Sequence, residues 1–147
     1  MYTKYNAENV LVEVEKKIKE LAQNGGTLRI RDVYNELSIF DWWPERIGVS
    51  RLKDMRKFLE EAIKLGFTGY VCFKVGASGC ANGMWAHKEN SVDGYSPDGP
   101  CLYKSFTPDY NYWQVDFGDG FDKKTFNTIH TIKELEVYIA NHKEEIL

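Results

Sequence analysis

At Phe67 the spacing of apolar residues changes from about 3.6 to 2, and that switch decides which fold classes are open to the chain. Before it, apolar side chains recur as on a helix; after it, they alternate as on a strand. Asn6 is a suitable N-cap, and Val10, Leu11, Val14, Ile18 and Leu21 follow at helical spacing until Asn24-Gly25-Gly26, which predicts a helix over 7–23. Arg31-Asp32-Val33-Tyr34-Asn35-Glu36-Leu37 predicts a short second helix. Ser38 to Val49 is an irregular linker carrying Trp42, Trp43 and Pro44, where the proline disfavours helical geometry at Trp43. Ser50 caps a third helix with the stripe Leu52, Met55, Phe58, Leu59, Ala62 and Ile63, ending at Gly66.

Beyond Phe67, Gly69 to Val75 and Met84 to Lys88 form one expected hairpin across the loop Gly76–Gly83. Cys101 to Thr107 and Asn111 to Phe117 form a second, around Pro108-Asp109-Tyr110. The turn-rich stretch Asn90 to Pro100 joins them. A possible edge strand at Phe126 to His130 precedes a final helix over Ile132 to Glu144. At 147 residues the chain is long enough for one core without disulfide staples. The expected architecture is therefore α+β: three N-terminal helices, an antiparallel sheet of about four strands and a C-terminal helix. They form a single domain over 1–147, with a helical part at 1–66 and the sheet and final helix at 67–147.

Helix, short helix, longer helix and hairpin is also the element order of a winged helix-turn-helix. The resemblance covers about residues 7–88 and rests on Arg31–Leu37, Ser50–Phe67 and Tyr70–Val75. It implies a DNA-binding regulator whose third helix, Ser50 to Leu65, offers Arg51, Lys53, Arg56, Lys57 and Lys64 to phosphate. The pattern departs from that family in the linker, since a helix-turn-helix uses a turn of about 3–4 residues and Ser38–Val49 is much longer. Charge also disfavours nucleic acid. The sequence pI is about 5.6, whereas nucleic-acid-binding domains commonly lie above about 9. Residues 1–75 carry 13 basic and 11 acidic side chains, net +2, and residues 76–147 carry 6 and 11, net −5. Any contact with DNA would come from a local patch on the first half.

Aromatic residues supply 14% of the chain, an excess that is either packed or presented to a ligand. Trp42 and Trp43 are adjacent, so one of them is a candidate exposed anchor for a partner. In the sheet, alternation that turns Val71, Phe73, Val75, Leu102, Phe106, Trp113, Val115 and Phe117 toward the helices sends Tyr70, Trp85, His87, Tyr103 and Tyr112 to the other side. The surrounding Asp93, Asp98, Asp109 and Asp116 favour a protein or a neutral ligand over a nucleic acid at that face. The alternative is that a loop or a second chain covers it.

Catalytic and metal signals are weak. A small cysteine-dependent enzyme would use Cys80 with His87 or His130, but no flanking sequence marks a nucleophile. Cys72, Cys80, His87 and Cys101 lack the short ligand pairs of structural zinc sites. Asp116, Asp119 and Asp122 do not meet the calcium-loop pattern, and Asp116-Phe117-Gly118 stands without the other kinase motifs. No cofactor or metal is expected. No run is apolar enough for a membrane span, no secretion signal opens the chain, and three unpaired-looking cysteines suit a reducing cytoplasm. The resulting expectation is a non-catalytic cytoplasmic accessory protein, of a kind common in bacteria and mobile elements. It would bind another protein through Trp42, Trp43, Tyr70, Trp85, Tyr103 and Tyr112.

Overall fold

The computed structural model describes residues 5–29, 46–75, 81–90 and 97–142. Helix α1 (Ala7–Asn24) starts where Asn6 accepts a hydrogen bond from the Asn9 amide, and it stops at Gly25, whose φ of 69° suits glycine. Its apolar stripe of Ala7, Val10, Val14 and Ile18 is buried against α2 (Val49–Lys64), which turns Leu52, Met55, Phe58, Leu59 and Ala62 inward. Between the helices, β1 (Leu28–Arg29) pairs antiparallel with β2 (Arg46–Ile47), burying Leu28 and Ile47.

The sheet is a four-stranded antiparallel meander of β3 (Val71–Val75), β4 (Ala81–His87), β5 (Cys101–Ser105) and β6 (Trp113–Asp116), in that spatial order. Cross-strand register aligns Val71, Ala86, Leu102 and Val115 in one row and Cys72, Trp85, Tyr103 and Gln114 in the next. The first row packs under α2 in an apolar cluster that runs from Tyr5 to Ile139. Both sheet edges are closed by neighbouring chain. Tyr5 and Ala7 exchange backbone hydrogen bonds with Val71 and Gly69 at one edge, and Phe121 and Ile129 bridge to Asp116 and Trp113 at the other.

The α+β class, the antiparallel sheet and a C-terminal helix are as expected. The run of three N-terminal helices is not. The described residues place two helices before the sheet, with the β1–β2 ladder between them, and the short helix expected at Arg31–Leu37 lies outside the described residues. Phe126–His130 is not a strand. Asp122 caps a short 3-10 turn at Lys123–Thr125, and only Ile129 reaches a bridge. Helix α3 spans Ile132–Ala140 and is followed by a turn at Asn141–His142, where the His142 ring nitrogen Nδ1 meets the Tyr138 carbonyl at 2.8 Å; the rest of the expected helix to Glu144 lies outside the described residues. No helix among the described residues is long and apolar enough to cross a membrane.

Candidate functional site

The sheet face turned away from α2 carries the expected rings. Since side chains alternate along a strand, the row Cys72–Trp85–Tyr103–Gln114 and the row His87–Cys101–Asp116 both lie there. Trp85 sits directly across from Tyr103 with ring centroids 5.0 Å apart, and Tyr103 meets Tyr112 edge-on at 5.9 Å. Tyr70 and His87 stack at 6.0 Å near the other end.

The face is covered in part by its own chain, which alternation could not reveal. After β6 the backbone reverses through Gly118 and Gly120, at φ values of 123° and 95°. The Asp116 carboxylate holds that reversal by accepting the Gly118 and Gly120 amides at 2.7 and 2.8 Å. Buried Gln114 then ties the returning segment to the sheet, donating through Nε2 to the Asp122 carbonyl at 3.0 Å and to Thr125 Oγ1 at 3.3 Å. Tyr103 and Tyr112 are 5% and 7% exposed, Trp85 is half-buried, and Tyr70, at the other edge, is buried within the main core cluster.

The returning segment adds rings of its own. Phe121 lies against Tyr103 at 6.3 Å, Phe126 against Tyr112 at 5.1 Å, and Tyr110 against Phe126 at 6.0 Å. These outer rings are exposed: Tyr110 at 51%, Phe121 at 37% and Phe126 at 51%. None of the three stood out in the sequence, because they fall in turns without periodicity. For Phe121 the available signal is an aromatic residue directly after Gly118-Asp119-Gly120, where the chain must double back over its last strand.

Burial sets the chemistry of this face. It pushes the Cys72 thiol up to about 12; Cys101 also rises to about 12, through burial first and the negative charge of Asp116 second. Both thiols are thus held in the protonated form at neutral pH. Desolvation lowers His87, against a weaker opposing pull from Asp116, and raises Tyr103, against a hydrogen bond with Ser105. Cys80, Trp42 and Trp43 lie outside the described residues. Among the described residues no group of His, Cys, Asp and Glu is arranged to hold a metal ion.

On α2, Lys53 and Lys57 are exposed and Arg56 is half-buried. Two of the five expected phosphate contacts are engaged within the chain. Lys64 reaches Glu136 of α3 at 2.8 Å, and Arg51 donates to the Phe106 carbonyl at 3.3 Å while lying over the Phe106 ring at 5.1 Å. His130, the other expected imidazole, is exposed and meets the Asn111 carbonyl at 3.0 Å. Comparison with protein families, with curated proteins and with solved structures finds no match to this chain.

Proposed function

We propose that the protein is a non-catalytic binding protein whose ligand is another protein, docked on the ring cluster of Trp85, Tyr110, Phe121 and Phe126. The observation that carries the reading is the continuity of that cluster. Exposed rings rest on buried Tyr103 and Tyr112, which themselves rest on the sheet. At about 150–250 Å² per aromatic side chain, the exposed parts of three rings amount to roughly 300 Å², within the range of the largest patches on monomers, which are often functional. Rings anchored on a rigid layer lose little conformational freedom on docking, as suits an interface centre. Asp109, Asp119 and Asp122 lie exposed along the cluster together with Lys123 and Lys124, so its rim carries both signs, as is common at the polar edge of an interface.

The test compares capture of host proteins by the wild-type chain, by a Tyr110→Ala/Phe126→Ala variant and by a Lys53→Glu/Lys57→Glu variant. A specific partner should be kept by the second variant and lost by the first, with the unfolding midpoint of the first close to wild type because its two sites are exposed. Retention of the partner by the ring variant would refute the reading. So would binding of random duplex that falls steeply between about 50 and 200 mM salt and disappears on lysine reversal; that result would favour the winged-helix alternative through Lys53 and Lys57.

A further inference from the structure

Lys104 stands on the wrong face of its strand for a charged residue. It alternates with Leu102 and Phe106, both buried, and it pairs across the ladder with Trp113, so its stem enters the layer beneath α2. There it lines a cavity of about 260 Å³ together with Lys57, Phe106, Asn111, Trp113 and His130. The ammonium lies 5.5 Å from the Trp113 ring centre and 6.0 Å from that of Phe106. It donates to the Ser105 carbonyl at 3.0 Å and to the Asn111 side-chain oxygen. Both acceptors are neutral. Among the described residues no carboxylate forms an ion pair with Lys104, and Asp54 of α2 acts on it only at longer range.

A half-buried cation satisfied by neutral groups alone is an expensive arrangement, and a second cation at the same cavity makes it more so. Lys57 contributes that second charge, and Arg51 a third nearby, against the single carboxylate of Asp54. An anion entering the cavity would offset this excess. Trp113, Phe106 and Phe58 close the cavity from the core side, each no more than 7% exposed. A cavity of about 150 Å³ accepts a benzene ring, so this one has room for a ring and a charged group.

We propose that the cavity between α2 and the β5–β6 hairpin binds a small oxyanion, of which the carboxylate of a compact organic acid is a simple member. Lys104 and Lys57 take the oxyanion. The site lies on the opposite side of the sheet from the ring cluster and does not depend on it. Desolvation, with Lys57 and Arg51 adding to it and Asp54 opposing, lowers the Lys104 ammonium to about 8. Lys104, Lys57, Asp54 and His130 are the charged and titratable groups lining this cavity, and Arg51 acts on Lys104 from nearby. Occupation by an anion should therefore raise Lys104 again and draw a proton from solvent at mildly alkaline pH.

Calorimetric titration of the full chain with benzoate, phenyl phosphate and benzyl alcohol tests this. Benzoate or phenyl phosphate should bind at least about tenfold more tightly than the uncharged alcohol, a difference of about 1.4 kcal/mol. In buffers of different ionisation enthalpy, proton uptake should accompany binding near the lowered pKa of Lys104. Lys57→Met, at an exposed position that cannot break the fold, should weaken the anions several-fold. Asp54→Asn should strengthen them, which loss of structure would not do. Lys104→Met should abolish the preference for the anion. The proposal is overturned if benzyl alcohol binds as well as benzoate, if neither anion binds at millimolar concentration, or if Lys57→Met and Asp54→Asn leave the anion affinities unchanged.

Discussion

Toward α2 the four strands present Val71, Met84, Ala86, Leu102 and Val115, all no more than 2% exposed; away from it the same strands carry Cys72, Trp85, His87, Cys101, Tyr103 and Gln114. That first set has no side-chain polar atoms to satisfy, and the charged exception on the same face, Lys104, is held by the Ser105 carbonyl and the Asn111 side chain. The second set brings hydroxyl, amide, imidazole and thiol groups, of which the Gln114 amide fixes the cover placed over it. Gln114 must find the Asp122 carbonyl and Thr125, and that pair of bonds anchors the segment bearing Phe121 and Phe126. The inner face is thus closed mainly by packing, with one cavity at Lys104, and the outer face by the Gln114 bonds, which leave it an open margin of rings.

The largest expected contrast follows from that difference. Leu102→Ala should lower stability by about 2–5 kcal/mol, since it removes a fully buried side chain from a layer with little means of collapsing. Trp85→Ala, though it deletes a larger side chain, should cost less, roughly 1–2 kcal/mol, because Trp85 is already half in water. Urea unfolding of both variants measures the gap. Equal losses would mean that the far face is as much a core as the near one.

Much of this contrast was legible in the sequence. Period-2 alternation sorted Tyr103 and Tyr112 from Leu102 and Trp113 correctly, and period 3.6 found α1 to within one residue at each end and α2 to within two, its N-cap being Gly48 where Ser50 was expected. What alternation does not carry is the cover. Gly118, Asp119 and Gly120 announce a turn without saying that Asp116 will fold it back over the sheet, so alternation left open whether a loop covers Tyr103 and Tyr112, and the covered alternative is the one that holds for them. Lys104 was missed for the opposite reason. Its place between Leu102 and Phe106 assigns it to the inner face, but a lysine is ordinarily read as solvated and the alternation was not followed through it.

A smaller effect, confined to the far face, is expected at Gly83. The strand passes so close to Tyr103 that a Cβ at Gly83 would stand 2.7 Å from the Tyr103 hydroxyl oxygen, 2.9 Å from its ring and 2.7 Å from the Lys104 carbonyl. Gly83→Ala should therefore displace the ring and strain the β4–β5 ladder, costing about 1–3 kcal/mol. In combination with Tyr103→Ala part of that loss should return, giving a coupling of at least about 0.5 kcal/mol in a double-mutant cycle. Strict additivity would show that the ring does not depend on the missing side chain.

The two sides should also respond to pH with opposite sign. On the helix side Glu61 is 6% exposed, and its carboxyl rises to about 7, through burial first and then a hydrogen bond with Glu136, partly opposed by Lys64. The folded chain thus holds a proton that the unfolded chain releases near the ordinary value of 4.5, so this group's contribution falls as pH rises from about 4.5 to about 7. Glu61→Gln, which imitates the protonated acid, should remove that slope and gain on the order of 1–3 kcal/mol over wild type above neutrality. On the far side His87 is held neutral by desolvation. Its unfolded form takes up a proton below about 6.5 that the folded form resists, so its contribution is lost as pH falls. His87→Phe keeps a ring beside Tyr70 and should flatten only this acid limb, the smaller of the two effects because His87 is partly solvated. Unfolding midpoints of wild type and both variants across acid and neutral pH decide the matter. If both substitutions change the profile in the same direction, the two faces do not differ in the protonation state they select.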